Sequence, residues 1–146
     1  MNSIKILDCT LRDGGNVNNW NFGEKNIEII IKALSKSNVD IIELGHLKND
    51  IRNADYTLAD NIDYFNYLGE KYLTNIETLC TVMTRPDLFD IKNITQKKKN
   101  QKVNGLRFAF YPYHKKELKE QVNIAKEKGY EVYLNPIGIS CYSIDD

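Results

Sequence analysis

Short apolar segments recur along the chain, with helix-periodic stretches between them, and this alternation limits the possible folds. The apolar segments lie near residues 4–9, 39–44, 78–83, 105–111 and 130–135. Between them, apolar residues spaced three or four apart predict helices over about 24–37, 57–72 and 114–128, and a short one over 86–93. Alternating strands and helices favour a parallel sheet with right-handed crossovers. The pattern predicts an α/β fold with its strands in the sequential order 1-2-3-4-5.

Two architectures fit this alternation. A (β/α)8 barrel needs about 250 residues, so 146 residues would supply only about five of its βα units. An open, doubly wound sheet that binds a small phosphorylated ligand is the other possibility. It usually carries a Gly-x-Gly-x-x-Gly loop at the start of a helix, and this sequence has no such loop. The residues alone leave both possibilities open.

Composition excludes several classes of partner. The chain has 20 Lys and Arg against 20 Asp and Glu, so a zero net charge gives no electrostatic reason to bind nucleic acid or an anionic membrane. No apolar run approaches the length needed to span a bilayer, and the first residues lack the apolar core of a secretion signal. The expectation is a cytoplasmic protein that binds neither nucleic acid nor a membrane.

The segment from Asp8 to Gly15 carries the most chemistry, because it follows the first predicted strand. Active sites of parallel α/β folds lie at the carboxyl ends of the strands. The carboxylate of Asp13 is a suitable ligand for Mg²⁺ or Mn²⁺. The guanidinium of Arg12 could stabilise an enolate or alkoxide oxygen. A buried ion pair of purely structural importance is the alternative interpretation of the same two residues.

The sequence Asp-Cys-Thr-Leu-Arg-Asp-Gly-Gly resembles the strand-one signature of the DRE-TIM metallolyases, also called the HMG-CoA lyase-like superfamily. The longer segment from Thr10 to Phe22 is most similar to the branch that contains 4-hydroxy-2-oxovalerate aldolase. The segments Ile41–Gly45, Leu106–Phe110 and Asn135–Gly138 are also similar to that branch. The resemblance covers essentially the whole chain and implies the N-terminal part, about five βα units, of a (β/α)8 TIM barrel. Residues 1–146 would then form one partial barrel domain.

The resemblance implies a role for each of three residues. Asp13 matches a metal ligand, Arg12 matches the arginine that stabilises an enolate, and Glu43 matches the acidic residue near both. The implied activity is aldol or retro-aldol cleavage of a C–C bond in a 2-oxo acid, with an aldehyde as the other substrate or product. We therefore expect Arg12, Asp13 and Glu43 to converge at the ends of strands one and two.

The chain departs from the family in its histidines. The family holds its metal with a His-x-His pair on a late strand, whereas this chain has only two histidines, His46 and His114. His46 follows strand two and could be a helper base, or a loop residue without a role. Trp20 and Phe22 either cover the site or pack beside it, and the direction of Arg107 stays open. We expect this chain alone to bind Mg²⁺ or Mn²⁺ weakly or not at all, without appreciable turnover.

Two functions therefore compete. One is a metal-dependent aldolase or lyase domain acting on a 2-oxo acid. The other is a non-catalytic half-barrel that associates with a second copy or with a missing C-terminal half. An incomplete barrel would leave two sheet edges and an apolar interior unpaired, which favours association. The sequence thus predicts a homo-oligomer or a complemented half-barrel, joined through the edges of strands one and five.

Overall fold

A six-stranded sheet forms the centre of the chain in the computed structural model, which describes residues 4–50 and 53–143. The strands are β1 (Leu7–Asp8), β2 (Ile41–Leu47), β3 (Leu58–Ala59), β4 (Leu79–Thr84), β5 (Val103–Phe110) and β6 (Glu131–Pro136). They pair in the order β1-β2-β4-β5-β6, with β3 beside β2, and every strand pair is parallel. The sequential order of the five predicted strands is confirmed, and the sheet is that of a half-barrel.

Helices connect the strands of the sheet. They are α1 (Thr10–Asp13), α2 (Gly15–Asn18), α3 (Glu24–Lys36), α4 (Ile62–Tyr72) and α5 (Lys115–Glu127), with 3₁₀ turns at Ile91–Asn93, Pro112–His114 and Ile139–Cys141. The short helix predicted over 86–93 is only the first of these 3₁₀ turns. In residues 4–50 and 53–143, no helix has both the length and the apolar character that crossing a bilayer requires.

Alternation along the strands separates an apolar face from a polar one. Ile42, Val82 and Phe108 belong to the hydrophobic core, into which α3 and α4 insert Ile31 and Phe65. The residues between them on the strands lie on the opposite face, which would be the interior of a barrel. That face is not the apolar surface expected from the sequence, because it carries the charged cluster described below.

The first strand is shorter than predicted. Only Leu7 and Asp8 pair with β2, whereas Ile4 is 94% and Ile6 62% exposed. The apolar run from residue 4 suggested a buried strand, but β1 lies at the edge of the sheet. No second strand covers its outer side in the described part of the chain.

The helix predicted from residue 57 begins five residues later. Thr57 does not cap it; its hydroxyl donates to the carbonyl oxygen of Leu11 at 2.6 Å. Asn61 is the cap, accepting from the backbone N–H of Asp63 at 2.8 Å. The intervening residues form β3 because β2 continues through Gly45 and offers backbone partners. A Cβ on Gly45 would lie 2.0 Å from the carbonyl oxygen of Thr57, so this approach requires glycine.

Candidate functional site

A buried carboxylate between two arginines lies at the centre of the site. Glu43, on β2, accepts from Arg12 Nε at 2.9 Å and from Arg107 Nη2 at 2.6 Å through Oε1. Its Oε2 accepts from Arg107 Nε at 2.6 Å. The side chain of Glu43 is fully buried, and those of Arg12 and Arg107 are 15% and 11% exposed. The cluster therefore joins α1, β2 and β5 on the polar face and shows that Arg107 points toward Glu43.

The cluster also sets the ionisation of its neighbours. Burial by itself would lower the pKa of Arg107, but its hydrogen bonds to Glu43 outweigh burial and raise that pKa. Cys9 Sγ lies 3.7 Å from Arg107 Nη2. Burial, and then the charge of Glu43, raises the pKa of the Cys9 thiol to about 11. Cys9 is therefore protonated at neutral pH and is a poor nucleophile there.

Asp13 lies at the outer side of the same cluster. Its carboxylate forms an ion pair with Arg12 Nη1, and its side chain is 56% exposed. Arg12 thus contacts both Asp13 and Glu43. Within residues 4–50 and 53–143, no three His, Cys, Asp or Glu side chains are grouped so that they could hold a metal ion. The described residues therefore do not fit a metal centre by themselves, since both oxygens of Glu43 are already bonded to arginines.

A cavity of about 430 Å³ opens at the carboxyl ends of the strands. Its walls combine cationic, aromatic, amide and apolar side chains: Arg12, Asn16, Trp20, His46, Lys48, Met83, Arg85, Leu88, Ala109, Tyr111, Asn135 and Ile137. Three lining residues are cationic, namely Arg12, Lys48 and Arg85, and no lining residue is acidic. The position is the one in which parallel α/β folds bind their ligands.

His46 is part of β2 and not of a loop, which corrects its predicted position. Its side chain is only 5% exposed, and neither ring nitrogen has a hydrogen-bond partner in the part of the chain that is described. Burial lowers the pKa of His46 to about 4; the nearby charges of Lys48, Arg12 and Arg85 act in the same direction, and Asp87 acts against them. The imidazole is therefore neutral at pH 7, although cations surround it.

Trp20 forms one wall of the cavity through an uncommon backbone conformation. Its φ is +58° and that of the preceding Asn19 is +56°, a region that bulky residues rarely occupy. The Trp20 ring centroid lies 5.5 Å from that of His46. A Cβ on Gly15 would lie 2.1 Å from the indole, so the ring reaches this position only over a glycine. Phe22, by contrast, packs against the hydrophobic core.

Sequence reasoning missed Lys48, Arg85 and Tyr111, although each directly follows a strand. Arg85 donates from Nε and Nη2 to Asp87 at 3.0 and 2.7 Å, and its guanidinium lies 5.3 Å from the centre of the Tyr111 ring. The Lys48 ammonium forms no hydrogen bond or ion pair with any described residue. Applying the strand-end rule to every strand, and not only to the first two, would have found all three.

Comparison with known proteins supports an aldolase-like half-barrel. No protein-family model and no curated protein matches the chain. The chain is similar to a solved structure described as the "N-terminal domain of a putative aldolase from Bacteroides vulgatus". It is 26% identical, with a TM-score of 0.67, over 94% of this chain. The match covers 46% of the Bacteroides chain, so the present chain spans less than half the length of that solved domain.

Proposed function

We propose that this chain supplies one half of an aldolase active site, which binds a 2-oxo acid and stabilises its enolate. The observation that carries the proposal is the Glu43 cluster, in which Arg12 is fixed at the wall of a cation-rich cavity. Arg12 uses Nε for Glu43 and Nη1 for Asp13, while Nη2 has no partner among the described residues. A fixed guanidinium with a free N–H group is suited to an enolate oxygen.

The reaction would proceed as a retro-aldol cleavage of a 4-hydroxy-2-oxo acid. A base removes the proton of the 4-hydroxyl group, the bond between C3 and C4 breaks, and the electron pair moves onto the C2 oxygen. Arg12 stabilises that enolate oxygen, and protonation at C3 then releases a 2-oxo acid beside the aldehyde. The neutral imidazole of His46 is the group we assign to the proton transfer, because the residue lines the cavity and neither ring nitrogen has a partner in the described part of the chain.

We assign Asp13 as a single ligand for Mg²⁺ or Mn²⁺ in a complete protein. One half-exposed carboxylate holds a divalent ion poorly. The remaining ligands would have to lie outside the described residues, so no step above is assigned to the metal. For this chain alone we expect weak or absent metal binding and no appreciable release of pyruvate from 4-hydroxy-2-oxo acids.

Binding of oxalate, which imitates the enolate of pyruvate, tests the function without requiring turnover. Trp20 is the only tryptophan and lines the cavity, so its fluorescence reports on occupancy. We expect oxalate and pyruvate to change this fluorescence. Arg12→Lys should weaken oxalate binding about tenfold, because lysine lacks the planar guanidinium group that can donate two parallel hydrogen bonds. Lys36→Met, which removes an exposed cation from α3, is the matched control. No saturable response to either anion would contradict the proposed function.

A second candidate function, association between half-barrels, is favoured by an apolar groove at the β6 edge. The groove has a volume of about 480 Å³ and lies between α5 and β6, where Phe110, Leu118 and Val122 meet Leu134 and Ile139. Leu134 is 56% and Ile139 68% exposed. The apolar surface is thus at this edge, and not on the polar interior face. An exposed edge strand with apolar neighbours is suited to pairing with another chain.

We expect the wild-type chain to form dimers or larger species at micromolar concentration, and Leu134→Glu to be a monomer, because the new charge would be buried on association. Sedimentation equilibrium measures both masses. Ile29→Glu introduces the same charge at a residue of α3 that is 53% exposed, and it should leave the mass unchanged. A monomeric wild type, or equal masses for the wild type and Leu134→Glu, would exclude association through this groove.

A further inference from the structure

One cation in the cavity wall has no anionic partner among the described residues. Arg12 is already paired with Glu43 and Asp13, and Arg85 is paired with Asp87. Lys48 is the cation that no described acidic side chain neutralises. An unpaired ammonium beside two further cations attracts an anion into the space between them.

The unpartnered groups in the cavity walls also match an anion. His46 is 5% exposed with both ring nitrogens unbonded, and the indole nitrogen of the neighbouring Trp20 is buried without a partner. A neutral imidazole carries one N–H donor, and an indole carries only a donor. The indole nitrogen lies against Gly15, so the donors that remain for a ligand are His46 and the Lys48 ammonium, whereas no carboxylate lines the cavity. A buried imidazole without a partner is costly, and an acceptor oxygen of a ligand beside it would remove that cost.

The positions of the cations in the sheet assign them to two different groups of one ligand. Arg12 follows β1, His46 and Lys48 lie at the end of β2, and Arg85 follows β4. Neighbouring strands are about 4.8 Å apart, so the backbones that carry Arg12 and Arg85 are separated by about 10 Å. Arg12 is held by Glu43 and Asp13, whereas Arg85 is held by Asp87, so the two guanidinium groups are fixed by different partners. A ligand with an anionic group at each end can contact both of them at once.

We propose that Lys48, Arg85 and His46 form a second oxyanion subsite, so that the preferred ligand is a 2-oxo acid with a carboxylate or phosphate group at its far end. This inference rests on the proposed function, because Arg12 holds the 2-oxo acid end. The pairing of Arg85 with Asp87 and its contact with the Tyr111 ring orient the guanidinium, leaving Nη1 available in the described part of the chain. Lys48 supplies the uncompensated charge, and His46 supplies an N–H donor.

Two acids of equal chain length test the second subsite. 2-Oxoglutarate and 2-oxopentanoate differ only in a terminal carboxylate against a methyl group, and Trp20 fluorescence measures both affinities. We expect 2-oxoglutarate to bind about tenfold more tightly, the effect of one charge-assisted contact. Lys48→Met should remove most of that difference, while Lys36→Met should keep it. 3-Phosphonopyruvate is the third probe, and its affinity relative to 2-oxoglutarate tells a phosphate-type group from a carboxylate.

The outcomes separate the two proposals. Equal affinities for 2-oxoglutarate and 2-oxopentanoate would overturn the second subsite and leave the proposed function intact. Binding of neither acid would overturn both. A preference for 2-oxoglutarate that survives Lys48→Met would show that the far carboxylate binds elsewhere, which also overturns the assignment. Because Lys48 has no described side-chain partner, its replacement should leave the fold unchanged, and the circular dichroism spectrum verifies this.

Discussion

Glu43→Gln is expected to lower the free energy of unfolding by about 3–5 kcal/mol, the usual cost of removing one partner from a buried ion pair. The amide has nearly the same shape, so the loss comes from charge and not from a cavity. Arg107 would keep its guanidinium buried without an anion, and Arg12 would keep only the half-exposed Asp13. Urea denaturation followed by circular dichroism measures the change.

Two further variants establish the cause of the loss. Glu77→Gln makes the same chemical change at an exposed residue, and it should alter stability by less than about 0.5 kcal/mol. Adding Arg107→Gln to Glu43→Gln should cost less than the sum of the two single changes, because the double variant leaves one fewer unpaired cation buried. Strictly additive losses would mean that Glu43 and Arg107 do not depend on each other.

The chain should lose about 3 kcal/mol of stability through His46 as the pH falls from 6.5 toward 4. The pKa of His46 is about 4 in the folded chain, against 6.5 for an unperturbed histidine. Between these values the unfolded chain binds a proton that the folded chain does not, so acid favours unfolding. This contribution is fully present above pH 6.5 and is lost as the pH falls to the folded pKa.

The difference between wild type and His46→Gln isolates this contribution, because the carboxylates titrate in both proteins. We expect the variant to lose less stability than the wild type between pH 6.5 and 4. An NMR titration of the two histidines, with His46 identified by its absence in the variant, gives the midpoint directly. The groups that face His46 are Lys48, Arg12, Arg85 and Asp87. A midpoint near 6.5 would mean that His46 is hydrated and not buried, and it would contradict this prediction.

The sequence by itself determined the number and order of the main strands. The spacing of apolar residues indicates which segments are strands and which are helices. Because strands and helices alternate along the chain, a parallel sheet with its strands in sequential order is the simplest arrangement. Arg12 could be placed in the site for the same reason, since it follows the first strand. The place of Glu43 beside Arg12 was expected only from the family resemblance of strand two, and not from a local pattern.

Only the tertiary structure decided what these side chains contact. Glu43 lies between Arg12 and Arg107, residues 31 and 64 positions away, and no local pattern relates positions so distant. His46 was expected in a loop, yet it is buried because β3 pairs with the end of β2. The polar interior and the cation-rich cavity likewise depend on the register of neighbouring strands, since register determines which side chains share a face.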